Sequence, residues 1–189
     1  MRTLVFVLVC LSVCFSLSLP ALAQSEGFDA TYRREATGSI EIGRIDVSPA
    51  LRSKAEQLGE AELARLTGYL REVLVTTLVA ADWHGVAAQE TVLDVTLVDV
   101  VPSRPTMTQI QNMDMAHYSA EASGGAELTA ELRDAGGRLV ANYHFAWYNP
   151  DTAGADSGIW TDTRTAFARF SQDLADSLGD APMPRSSGS

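Results

Sequence analysis

The side chains with the richest ligand chemistry in this sequence fall in one stretch, Ser103 to Gly125 (SRPTMTQIQNMDMAHYSAEASGG). Within it, Met113-Asp-Met115-Ala-His117 sets two thioethers and an imidazole on alternate positions of an extended segment. Soft thioether and imidazole donors suit Cu(I), so Met113, Met115 and His117 are the candidate metal ligands. The plainer alternative is that these methionines, with Ile110 and Tyr118, fill irregular gaps or form an adaptable contact surface. Three ligands without a second motif favour the plainer alternative, a flap that touches a partner protein. A connection of this length inside a compact domain is usually functional or unstructured.

The other candidates carry less. His84 follows a helical pattern, where the helix dipole favours a partly charged imidazole. His144 alternates away from Phe145 and Trp147 and is expected to face solvent. No two histidines share the helix-turn spacing of a zinc protease site. Gly154-Ala-Asp-Ser-Gly158 lacks the G-x-S-x-G order of a nucleophile turn, and no tight strand–turn–helix surrounds it. Asp94 and Asp99 are expected on opposite faces of a strand, which excludes an acid–base pair. Trp83, Trp147 and Trp160 are expected to be core, because aromatic side chains dominate buried area in domains of this size. The residues therefore predict no enzyme and no cofactor.

The elements that position these residues are legible from periodicity. Gln24 to Gly38 is polar and without period, an irregular lead-in. Ser39 to Val47 (SIEIGRIDV) alternates as a strand, with Gly43 marking a bulge. Ser48-Pro49 is a helix start, since serine caps and proline at the first helical position loses only an orphan N–H. From there to Trp83, Leu58, Leu63, Leu66, Leu70, Leu74 and Leu78 recur at three- and four-residue spacing, an amphipathic helix with Gly59 as a possible division. Thr91 to Val101 is a β-branched strand with Leu93, Val95 and Leu97 on one side and Val92, Val98 and Val100 on the other.

Ala126 to Arg133 and Leu139 to Tyr148 alternate on either side of Asp134-Ala-Gly-Gly, a β-hairpin. Its first strand is expected to put Glu127, Thr129, Glu131 and Arg133 into water. Thr161 to Leu178 is a second helix, with Phe167, Phe170, Leu174 and Leu178 on one stripe, and 179–189 is a disordered tail. The order predicts an α+β fold: a two-layer sandwich with a mostly antiparallel sheet of about four strands and two helices packed on one face. The single domain covers residues 39–178.

The N-terminal segment carries the expected address. Met1-Arg2-Thr3, an apolar run from Leu4 to Leu19, and Ala21-Leu22-Ala23 form a cleaved signal peptide over residues 1–23. The run is shorter than the roughly 20 residues of a membrane-crossing helix. Both cysteines, Cys10 and Cys14, leave with it, which excludes disulfides and thiolate metal centres from the remainder. The segment holds one arginine and no acid, so its loss moves the net charge from −10 to −11. That balance argues against nucleic acid and against anionic lipid, leaving only indirect contact with membranes.

GEAELARLTGYLREVLVTTLVA, TVLDVTLVDVVPS, GGAELTAELRDAGGRLVA and IWTDTRTAFARFSQDLADSL, behind a secretion signal, resemble a family of small cell-envelope proteins of Gram-negative bacteria. The resemblance covers about residues 58–178. The family is of unknown function, its members are often described as lipoproteins, and it implies no catalytic residues. This chain departs from it at the anchor, because Val9 and Val13 precede the cysteines where lipoprotein processing expects a small residue. The expectation is a periplasmic, unanchored, non-enzymatic protein that binds another envelope component or itself. A small-ligand or copper carrier using 103–125 is the alternative.

Overall fold

The computed structural model describes residues 27–36, 38–84, 90–112, 124–151 and 158–180. The expected signal peptide, Met113, Met115, His117 and the tail from 181 onward lie outside the described residues.

The fold is α+β. Five strands, β1 (Gly27–Tyr32), β2 (Ser39–Val47), β3 (Glu90–Val101), β4 (Gly125–Arg133) and β5 (Leu139–Tyr148), form one sheet in the order β1-β5-β4-β3-β2. Every pairing is antiparallel except β2 with β3. That parallel pair needs a long crossover. It is made by α1 (Pro49–Ser53), α2 (Ala55–Leu58) and α3 (Glu60–Ala80); α4 (Met107–Asn112) and α5 (Thr161–Gly179) follow. α3 and α5 pack against each other on one face of the sheet. Leu70, Leu74 and Leu78 of α3 and Phe167 and Phe170 of α5 are fully buried against Leu93, Leu97, Leu128 and Leu132. Burying each such side chain stabilises the fold by about 1.5–3 kcal/mol.

Several expectations are corrected. The sheet has five strands rather than about four, because part of the polar lead-in is β1. Its inward side chains make this strand: Phe28 lies 5.9 Å from the Tyr143 ring and 6.4 Å from Phe170. Tyr32 meets Tyr143 edge-on, and its hydroxyl bonds Ser177 Oγ at 2.9 Å. The single long helix is three helices, divided at Lys54 and again at Gly59, whose φ of 97° suits glycine and stops the α2 hydrogen-bond ladder. The connection after β3 is not featureless. Thr106 and Gln109 cap α4 reciprocally, Thr106 N–H to Gln109 Oε1 at 2.9 Å and Gln109 N–H to Thr106 Oγ1 at 3.1 Å.

The most consequential correction is in β3. Leu97 faces Leu128 and Asp99 faces Glu127, so Val98 is an extra residue in the ladder. A side-chain period of two reverses at such a bulge. Val100 is thereby turned into the core, where it is 2% exposed. Asp99 joins Asp94 on the same face of the sheet, not the opposite one. Ser48 ties the bulge down: its Oγ donates to Val98 O at 2.8 Å while accepting from Leu51 N–H at 3.0 Å as the cap of α1.

Candidate functional site: the open face of the sheet

Helices cover one face of the sheet; among the described residues no helix covers the other. Strand alternation sends the small and polar residues there, and the register aligns them in rows. One row crosses all five strands: Asp46 of β2, Thr96 of β3, Thr129 of β4, His144 of β5 and Asp29 of β1. The next runs through Asp94, Glu131, Asn142 and Thr31. A depression of about 540 Å3 opens over both rows, and its lining includes Arg44, Asp46, Asp94, Thr96, Thr129, Glu131, Arg133 and Asn142.

The electrostatics of this face are largely settled within it. Asp94 and Glu131 are directly opposite across β3 and β4, a like-charged pair that costs stability unless compensated. Each has its own guanidinium. Arg44 donates its backbone N–H to Asp94 Oδ1 at 2.7 Å and its Nη2 to Oδ2 at 3.4 Å; Arg133 Nη2 donates to Glu131 Oε2 at 2.5 Å. The Arg44 arrangement depends on the β2 bulge, since any Cβ at Gly43 would collide with the Asp94 carboxylate and with Val92 Cγ1. Farther along, Lys54 Nζ meets Asp99 Oδ1 at 2.9 Å, and His144 Nε2 meets Glu127 Oε1 at 3.0 Å. Glu127 was expected in water; its side chain is 8% exposed, closed in beside His144. Asp46, Thr96, Thr129 and Asn142 have no side-chain partner among the described residues. Their polar atoms line the depression.

The remaining predicted positions separate. Met113, Met115 and His117 lie outside the described residues, so their geometry is not on view. Met107 and Ile110 of the same stretch lie on α4 and are exposed. His84 does more than face a helix dipole: its Nδ1 bonds Ile40 O at 2.7 Å. Trp160 is 7% exposed, and its Nε1–H donates to Glu62 Oε2 at 3.0 Å. Burial, together with the hydrogen bond to Tyr32, raises the Tyr143 phenol far above its ordinary value, so it is neutral in the core. Among the described residues no three His, Asp or Glu side chains are grouped to hold a metal ion. None of their helices is long and apolar enough to cross a membrane.

Periodicity alone missed the aligned rows. Their signal was present as the polar positions of otherwise apolar strands, Asp94 and Thr96, Thr129, Asn142 and His144. Only the cross-strand register turns them into neighbours.

The fold and this face define an α+β two-layer sandwich in which, among the described residues, no helix covers the sheet surface that carries the polar rows. No protein-family model matches the chain, and no curated protein matches it. Among solved structures it is similar to a PelC dodecamer from Paraburkholderia phytofirmans, at TM-score 0.48 and 13% identity, over 78% of this chain and 96% of that one. A second crystal form of PelC from the same organism gives TM-score 0.45 and 13% identity, over 77% and 94%. Similarity at this level leaves function to be argued from the site.

Proposed function

We propose that the protein is a non-enzymatic, periplasmic component of the cell envelope that works by binding another envelope component on the open face of its sheet. The observation that supports this most is the row Asp46–Thr96–Thr129, whose side chains have no partner among the described residues, on a face that no helix of the described residues covers. Buried or docked, such groups need hydrogen-bond partners, and a partner surface supplies them without the precise convergence that catalysis needs. The apolar leader with its Ala21-Leu22-Ala23 cleavage pattern supports the compartment, and the resemblance to envelope proteins agrees with it.

Site-specific photocrosslinking in intact envelopes tests the reading. A benzophenone side chain at Thr129 should form a defined adduct that the same group at the exposed Glu72, on the helix layer, does not form. Only unmodified monomer from both positions would remove the open face as a docking surface.

A further inference from the structure

The two edges of the sheet are treated differently. The outer edge of β2 is occupied. Ile40 N–H donates to Trp83 O at 2.7 Å, and Ile40 O accepts from His84. Arg71 reaches over from α3 to donate to Ile42 O at 2.9 Å and Gly43 O at 2.6 Å, and Arg52 donates to Val47 O at 3.3 Å. Proteins blunt edges in this way because a free edge templates pairing with another chain. The outer edge of β1 has no such cover among the described residues. Arg33 N–H donates to Val140 O at 2.8 Å, and residues of an antiparallel strand alternate in direction. Asp29 and Thr31 therefore face β5, while Phe28, Ala30 and Tyr32 turn N–H and C=O outward.

The sequence of that edge is self-complementary. Phe28-Asp29-Ala30-Thr31-Tyr32 reads aromatic, polar, small, polar, aromatic from either end. We propose that β1 pairs antiparallel with the β1 of a second copy, about a two-fold axis at Ala30. This register sets Ala30 against Ala30, Phe28 against Tyr32 and Asp29 against Thr31. It avoids facing one carboxylate with another and pairs all three outward residues. Other centres do worse: a two-fold at Asp29 opposes like charges, and a shift by one residue places the inward-facing N–H groups at the interface. Directly opposed residues of an antiparallel pair share a face, so the two sheets, five strands each, join with both open faces on one side. The proposal stands on the edge alone and does not depend on what the open face binds.

Ala30→Pro is the discriminating variant. It removes an outward N–H and leaves the bonds to β5 in place, which is where an edge strand tolerates proline. In sedimentation equilibrium the chain purified after secretion should have twice the monomer mass, and Ala30→Pro the monomer mass with unchanged far-ultraviolet circular dichroism. A second readout covers a Pro variant that fails to fold. With Cys10→Ser and Cys14→Ser in place, Ala30→Cys should give a reducible crosslinked dimer under mild oxidation, because opposed Cα atoms about 5.5 Å apart accept a disulfide. Glu41→Cys, on the covered edge, should give none. A wild-type monomer at all concentrations, equal masses for wild type and a folded Ala30→Pro, or equal crosslinking at both cysteine positions would overturn the proposal.

Discussion

Gly124→Ala probes the joint where β4, the start of α5 and the strand ends meet. A Cβ on Gly124 would lie 2.5 Å from Asp162 Oδ2, 2.7 Å from Ser103 Oγ and 2.8 Å from Asp162 Cβ. Non-bonded carbon contacts prefer about 3.5–4.0 Å, and none of these atoms is free to withdraw. Asp162 is 6% exposed, with Oδ1 held by Asn149 Nδ2 at 3.0 Å. Ser103 Oγ accepts the Asp162 backbone N–H at 3.0 Å, one of the orphan donors of the first turn of α5. Overpacking costs about 1–3 kcal/mol. Displacing Ser103 strands that buried N–H for about another 1–3 kcal/mol. Urea unfolding followed by fluorescence should therefore show a loss of about 2–6 kcal/mol, as a lower midpoint at unchanged slope. Asp162→Ala removes the nearest of the three colliding atoms, Oδ2, and keeps Cβ, so in that background the Gly124 penalty should shrink by about 1 kcal/mol. A single-variant loss under about 0.5 kcal/mol, or strict additivity of the pair, would refute the reasoning.

Three further outcomes are expected. Gly68→Ala, at an exposed position in the interior of α3 with nothing within 4 Å of the new methyl, should raise stability by about 0.5–1 kcal/mol in the same assay. Ser48→Ala removes both the cap of α1 and the donor to the bulge carbonyl of Val98; a loss of about 1–2 kcal/mol is expected, and Ser48→Thr should retain most of the difference.

Two aspartates give opposite pH signatures. Backbone N–H donation from Arg138, followed by that residue's side chain and by Gly136, lowers Asp134, so its contribution exists above the unfolded carboxylate range and disappears as pH falls through the lower folded value. Burial first, and then the nearby Asp176 charge, raises Asp173 despite Arg169, so the folded state is penalised once pH rises past the unfolded value, and fully at neutral pH. Asp134→Asn should destabilise at pH 7 and lose its effect in strong acid. Asp173→Asn should stabilise at pH 7 and likewise lose its effect in acid. Denaturation midpoints across pH 2–8 measure both, and the same sign for the two variants would contradict the assignment.

Much of the architecture was legible because its signals are local. Leu66, Leu70, Leu74 and Leu78 announce α3 by spacing alone, and all four are buried. The β4–β5 hairpin is written in its alternation and in Asp134-Ala-Gly-Gly. Asp134 Oδ1 accepts from Gly136 and Arg138 N–H, both at 2.9 Å, and Gly137 takes a φ of 75°. β1 was less visible: three inward side chains in a polar setting give a weak period, and most of what stabilises them comes from β5 and α5. Thr106-x-x-Gln109 carried a capping signal that the loop-like composition around it obscured.

The sequence by itself determined which side chains seek the core and where the chain turns, because hydrophobic period, caps and glycine conformations act within a few residues. Tertiary structure alone decided which strand lies beside which, that β2 runs parallel to β3, and that Val98 bulges. Those depend on pairing energies between segments far apart in the chain, and a one-residue slip at Val98 moves Asp99 and Val100 to opposite sides of the sheet. The row from Asp46 to Asp29 exists only through that register. So does the contrast between the β2 edge held by Arg71 and His84 and the β1 edge, which has no such cover among the described residues.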